Sequence, residues 1–213
     1  MSRLHSRAAK NAGFTLIELL AVLMILSLLF GVLLVSLMGG EDATKVGIAK
    51  NRMGQIGTSV TVYSDESGQY PPSQLPSDIG TAPNGTNVGS ECLYLALCAE
   101  GAAGYASLGK AENLCNTDND SLSKRPKGFE VQDLFEMADP WGNPLAYIRA
   151  SDYDREFRYV CVDQETGELS EFSVRAKKSA LTGRFEEPTS FQLLCAGSDG
   201  KFGTEDDLSN FTK

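Results

Sequence analysis

Apolar positions are bunched near the front of the chain and periodic after it. From residue 14 to residue 38 most side chains are aliphatic or aromatic, and Glu18 is the only charge. At about 1.5 Å per residue a helix over this run is roughly 37 Å long, enough to cross the ~30 Å hydrocarbon core of a bilayer. It predicts the transmembrane half of a long N-terminal helix. After Gly39 and Gly40 the pattern changes: Val46, Ala49, Met53, Ile56, Val60 and Tyr63 recur at helical spacing on one face, with Lys45, Lys50, Arg52 and Gln55 off it. A second, amphipathic half is therefore expected over 39–66, its stripe covering a core. Gly47, Gly54, Gly57 and the β-branched run from Thr58 to Val62 make this half intrinsically weak, so tertiary packing must hold it.

Gly68 and Pro71 supply the stop. Residues 71–90 read as loop, 91–100 as a short buried helix, and 101–128 as an irregular excursion rich in Gly, Asn and Asp. Asp139-Pro140 and Asn143-Pro144 bracket Trp141-Gly142 as consecutive turns. A tryptophan there is a ligand platform or, more commonly, a packing plug. Strands are expected over 145–149, 157–162, 169–174 and 191–195, the middle two as a hairpin. The fold class predicted is α+β, with the long N-terminal helix against an antiparallel sheet of three or four strands. Residues 67–213 form its exported globular part.

Charge and cysteines sharpen the picture. The formal net charge of the 213 residues is −9, yet Arg3, Arg7 and Lys10 precede the apolar run without an acid. A basic flank keeps the N-terminus cytoplasmic and places the acidic bulk across the membrane. That acidity argues against nucleic acid as a partner, since affinity for phosphates comes from Lys and Arg. All five cysteines (Cys92, Cys98, Cys115, Cys161, Cys195) fall in the exported part, as disulfides in an oxidising compartment would require. Their pairing stays open, with Cys98–Cys115 slightly preferred; Cys161 and Cys195, on strands, are expected as small apolar core residues. The only histidine is His5, so a His-based triad or His-ligated zinc site in the exported part is excluded.

An ordinary secretory signal has a shorter apolar core followed by a small-residue cleavage site, which "VSLMGGED" lacks. A plain anchor accounts for the rest but not for Glu18, because a carboxylate in a span costs ~2.5–3.5 kcal/mol at mid-membrane and less near the interface. The string "KNAGFTLIELLAVLMILSLLFGVLL" resembles the prepilin leader and N-terminal helix of type IV pilins and type II secretion pseudopilins, matching without a gap from Gly13 to Glu18. The resemblance implies a leader at 1–13, cleavage between Gly13 and Phe14 by a prepilin peptidase, and N-methylation of Phe14. It further implies that Glu18 neutralises the Phe14 amine of a neighbouring subunit during assembly. Where that family commonly carries a helix proline, this chain has Val35. "G-x-Y-P" at Gly68, Tyr70 and Pro71 and "D-P-W-G-N-P" from Asp139 to Pro144 are similar to segments of major pseudopilins.

The chain closes with "AGSDGKFGTEDDLSN", several oxygens in a glycine-containing turn. Hard oxygen donors suit Ca²⁺, and a solvated acidic turn is the alternative; Lys201 and Gly203 exclude an EF-hand. Major pseudopilins end in a similar calcium-binding loop. By that resemblance Asp199, Asp206 and Asp207 are the metal ligands, with the carbonyls of Ala196 and Lys201 as further candidates.

The function expected is a structural, non-enzymatic subunit of a type II secretion pseudopilus, assembled with itself and other pseudopilins or pilins from the bacterial inner membrane. The partners implied are the prepilin peptidase and an inner-membrane platform driven by a cytoplasmic ATPase. A type IV pilus subunit acting in adhesion, motility or DNA uptake is the second reading, and a membrane-anchored enzyme or lectin the third. The cysteines and the long stretches 90–135 and 175–190 are what a compact major pseudopilin lacks.

Overall fold

The computed structural model describes residues 15–76 and 84–211, without side chains for 32–39. The leader, Gly13 and Phe14 lie outside the described residues. The chain divides into two compact units, Met1–Ala43 and Thr44–Lys213. One helix, α1 (Leu16–Ser67), runs through both.

In the first unit the large apolar side chains from Leu16 to Phe30 are exposed. Among the described residues no helix is long and apolar enough to cross a membrane. The span expected over 14–38 thus falls partly outside them.

In the second unit the expected stripe is the packed one. Ala49, Met53, Ile56 and Val60 are buried, and Tyr63 packs beside them, in a core shared with Leu93, Leu97, Tyr147, Leu193 and Cys195. Arg52 was expected off the packed face. Instead it is half-buried, because its guanidinium Nη1 donates to the Ala138 carbonyl at 2.6 Å. The helix ends where glycine can turn left-handed: Gly68 has φ 78° and its N–H donates to the Ser64 carbonyl at 2.8 Å.

Helix α2 (Val88–Leu97) starts and ends three residues before the expected 91–100. Asn87 precedes it at φ 56°, and its side chain caps other elements rather than the helix: its amide donates to Thr117 Oγ1 and Glu136 Oε1 and its carbonyl accepts from Val160 N. The excursion after it holds a short helix, α3 (Tyr105–Leu108), and a two-residue strand, β1 (Leu114–Cys115), paired with β2 (Glu136–Met137).

Among the described residues the single sheet of three or four strands is corrected to three small antiparallel sheets. β3 (Ala146–Arg149), β6 (Phe191–Cys195) and β7 (Leu208–Ser209) form one; β4 (Glu156–Val162) and β5 (Leu169–Arg175) form the hairpin; β1 and β2 form the third. The hairpin joins β3 through a side chain, not through a ladder: Tyr147 N donates to the Tyr159 hydroxyl at 3.1 Å. Tyr159 is fully buried in a second core with Ile148, Phe157 and Leu194. Both edges of the 139–144 turn are fixed by one carboxylate, since Asp139 Oδ1 accepts from Trp141 N and Asn143 N at 2.9 Å each. Trp141 packs against the main core, as a plug does.

Candidate functional site

Two regions carry the chemistry predicted from sequence. At the start of α1, Thr15 stands at the N-cap and Glu18 three positions on. Glu18 Oε2 accepts from Thr15 N at 2.9 Å and from Thr15 Oγ1 at 2.7 Å, while Glu18 N donates to Thr15 Oγ1 at 3.3 Å. This is a reciprocal capping box. It gives the acid of the apolar run a partner inside its own chain, one residue beyond the expected cleavage point.

At the other end, the loop between β6 and β7 carries Asp199, Asp206 and Asp207. Gly197 opens it at φ 71°, and any Cβ there would stand 2.5 Å from Asp206 Oδ2, so only glycine fits. Asp206 Oδ2 accepts from Ser198 N (2.6 Å), Ser198 Oγ (2.9 Å) and Asp199 N (3.0 Å), and Oδ1 accepts from the Thr204 hydroxyl at 2.5 Å. Burial raises the Asp206 carboxyl, but the bonds from Thr204, Asp199 and Ser198 outweigh it and hold the group below its ordinary range. Asp207 Oδ2 pairs with Lys177 Nζ at 2.7 Å and accepts from Gly203 N, while its Oδ1 is buried without a partner. Asp199 Oδ1 accepts from Lys201 N.

The three aspartates therefore share one loop but are engaged separately. The carbonyl of Lys201 accepts from Thr204, and Ala196 is buried. A hard cation fits the donor chemistry and the orphaned Asp207 Oδ1. Such a cation would meet Asp207 beside the Lys177 ammonium that already pairs with its other oxygen.

All five cysteines are free thiols, so the expected Cys98–Cys115 bridge is absent. Cys115 faces Glu136 across the β1–β2 pair, while Cys98 ends α2 in the core with Tyr94 and Leu108. Cys161 and Cys195 are fully buried, as expected of small core residues, and burial pushes both thiols up. Sequence reasoning passed over Glu91, Asp118 and Asp120, which bring one carboxylate oxygen each to within 4.8 Å of the others. The acidic string Asp118-Asn119-Asp120 was the available signal; Glu91 gave none.

The model of the prokaryotic N-terminal methylation motif matches residues 8–34. Among curated proteins none is significantly similar to the chain. Among solved structures, the major pseudopilin from the type 2 secretion system of enterohaemorrhagic Escherichia coli is similar at a TM-score of 0.35 and 14% identity, over 83% of this chain and 95% of that one.

Proposed function

We propose that the chain is a pilin-like filament subunit, made as a prepilin and built into a type II secretion pseudopilus. The observation that carries this reading is the N-terminal methylation motif at 8–34, with Gly13, Phe14 and Glu18 inside it. Cleavage after Gly13 frees the Phe14 amine next to Thr15, and Thr15 holds the Glu18 carboxylate at the same helix end. A carboxylate so placed can meet a cation from a neighbouring subunit in a setting where unpaired charge is costly. The prepilin peptidase, an inner-membrane platform and its cytoplasmic ATPase are the partners of such a subunit. Its place is the inner membrane, with the second unit outside the cytoplasm, and its role is structural rather than enzymatic.

Calcium at Asp199, Asp206 and Asp207 belongs to the same reading. The ion would supply the positive charge that Lys177 now supplies to Asp207, and would cross-link β6 to β7 through their loop. A type IV pilus subunit is the second reading, favoured by the structured stretch 88–137 that carries Cys92, Cys98 and Cys115. Deleting the gene and assaying secreted proteins alongside surface pili separates the two. Loss of secretion with pili intact supports the pseudopilus; loss of pili with secretion intact transfers the chain to the pilus.

A further inference from the structure

Among the described residues, a group of buried, unpartnered carboxyls lies in neither site described so far. Glu91, in the first turn of α2, is fully buried, and neither of its carboxylate oxygens has a hydrogen-bond partner. Asp118 and Asp120 come from the loop between β1 and β2; Asp120 is only 6% exposed. Both oxygens of each are likewise buried and unpartnered. The three residues point their carboxylates at one spot, with one ligand oxygen from each within 4.8 Å of the others. Glu136, on β2, interacts with Asp118 while accepting from Asn87 Nδ2 and Thr117 N.

Buried polar groups are normally hydrogen-bonded, and buried carboxylates are normally paired or metal-bound. Here the charges that act on Glu91 are Asp120, Asp118 and Glu136, all of its own sign. Burial and these neighbours push it up to about 10; burial and Asp118 push Asp120 up to about 7. Three carboxylates without hydrogen-bond partners, converging with one oxygen each, are a defect if the spot is empty and part of a coordination shell if it holds a cation.

We propose that Glu91, Asp118 and Asp120 form a buried Ca²⁺ site, separate from the C-terminal loop, that ties α2 to the loop between β1 and β2. The donor set is all oxygen, which suits hard cations and not zinc or copper. Ca–O bonds of about 2.3–2.6 Å allow ligand oxygens to stand up to about 5 Å apart, a span that contains the three here, whereas Mg²⁺ needs about 2.0–2.1 Å and sheds water reluctantly. The scaffold is already shaped around the spot. Asn116 accepts from Asp120 N (3.1 Å) and donates to its carbonyl (3.0 Å), closing the loop, and Asn119 between the two acids sits at φ 55°. Thr117 Oγ1 anchors the same loop to the Val160 carbonyl of β4 at 2.8 Å. An ion at this place would lock the stretch between α2 and β2 onto the hairpin. The proposal does not depend on the filament reading.

The test uses the full chain in detergent, freed of metal, carrying Asp206→Asn so that the C-terminal loop is silenced. At pH 7.5 this chain is expected to take up one Ca²⁺ by calorimetric titration. Its melting temperature should rise by roughly 5–10 °C at a hundredfold excess over the Kd, with Mg²⁺ a poor substitute. Adding Glu91→Gln should abolish the uptake, and in chelator that variant should melt no lower than its parent, because without metal the Glu91 carboxyl is already neutral at this pH and the amide keeps its shape. Asp118→Asn, at a less buried position, is the second variant and should weaken uptake at least tenfold. No Ca²⁺ uptake by the Asp206→Asn chain at millimolar Ca²⁺ overturns the proposal, and so does unchanged uptake in Glu91→Gln or in Asp118→Asn. Either result makes the cluster a set of carboxyls that share protons.

Discussion

The Glu18 carboxylate is held by Thr15 through two hydrogen bonds, 2.9 Å from its N–H and 2.7 Å from its hydroxyl. One residue therefore has two possible duties, capping its own helix and meeting a neighbour's amine. They separate by mutation. Glu18→Ala should enter the membrane at least as well as the wild type, a costly charge having been removed, yet form filaments at less than a tenth of its level. Thr15→Val removes the hydroxyl half of the cap, worth about 1 kcal/mol, and should assemble nearly normally. Membrane fractionation with electron microscopy of sheared filaments reads both. Equal loss in the two variants would make capping the whole role of Glu18.

Arg52 joins α1 to the 139–144 turn through the Ala138 carbonyl, with Asp139 nearby. Arg52→Met keeps the apolar stem and removes the donor. A charge-assisted bond of this kind contributes about 1.5–3 kcal/mol, so the full chain in detergent should melt roughly 3–10 °C lower. Arg52→Lys should recover only part, since an ammonium lacks the planar fork.

Asp139 supplies the pH dependence. Burial raises it to about 6, partly offset by its bonds from Asn143, Cys195 and Trp141 and by Arg52. The folded state thus holds this proton more tightly than the unfolded chain does. The stability it contributes is complete below pH ~4 and is lost as pH rises through about 6. Asp139→Asn should flatten the melting-temperature profile between pH 4 and pH 6 relative to the wild type. A variant profile parallel to that of the wild type across this window would mean that Asp139 does not titrate there.

If the C-terminal loop takes the proposed calcium, Lys177, which pairs with Asp207 at 2.7 Å, would compete with the ion for that carboxylate. Lys177→Met should therefore tighten Ca²⁺ binding at this loop several-fold in calorimetric titrations of the full chain carrying Glu91→Gln. Asp207→Asn in the same background should remove it. An unchanged affinity in Lys177→Met would place the ion elsewhere.

The legible parts of the fold were those written as a period. Ala49, Met53, Ile56 and Val60 share a face because 3.6 residues make a turn, and burial follows directly. Strand β6 could be read because Phe191 to Cys195, apolar except for Gln192, is a short run bounded by turn residues. Strands β1, β2 and β7, two residues each, have no period to show. Arg52 was misjudged because position on a helical wheel does not reveal a carbonyl waiting beyond the stripe. Glu91 was invisible for a related reason: an acid in the first turn of a helix reads as solvated and dipole-favoured. Only the chain's return at Asp118 and Asp120 turns it into a buried, unpartnered group.

The central claim, a processed pilin-like subunit, turns on the bond between Gly13 and Phe14. Intact-mass and N-terminal peptide mass spectrometry of the protein extracted from membranes addresses it most directly. The predicted result is a chain that begins at N-methylated Phe14 and retains the whole apolar run. A chain that still begins at Met1, or one cut after the apolar run, would contradict it.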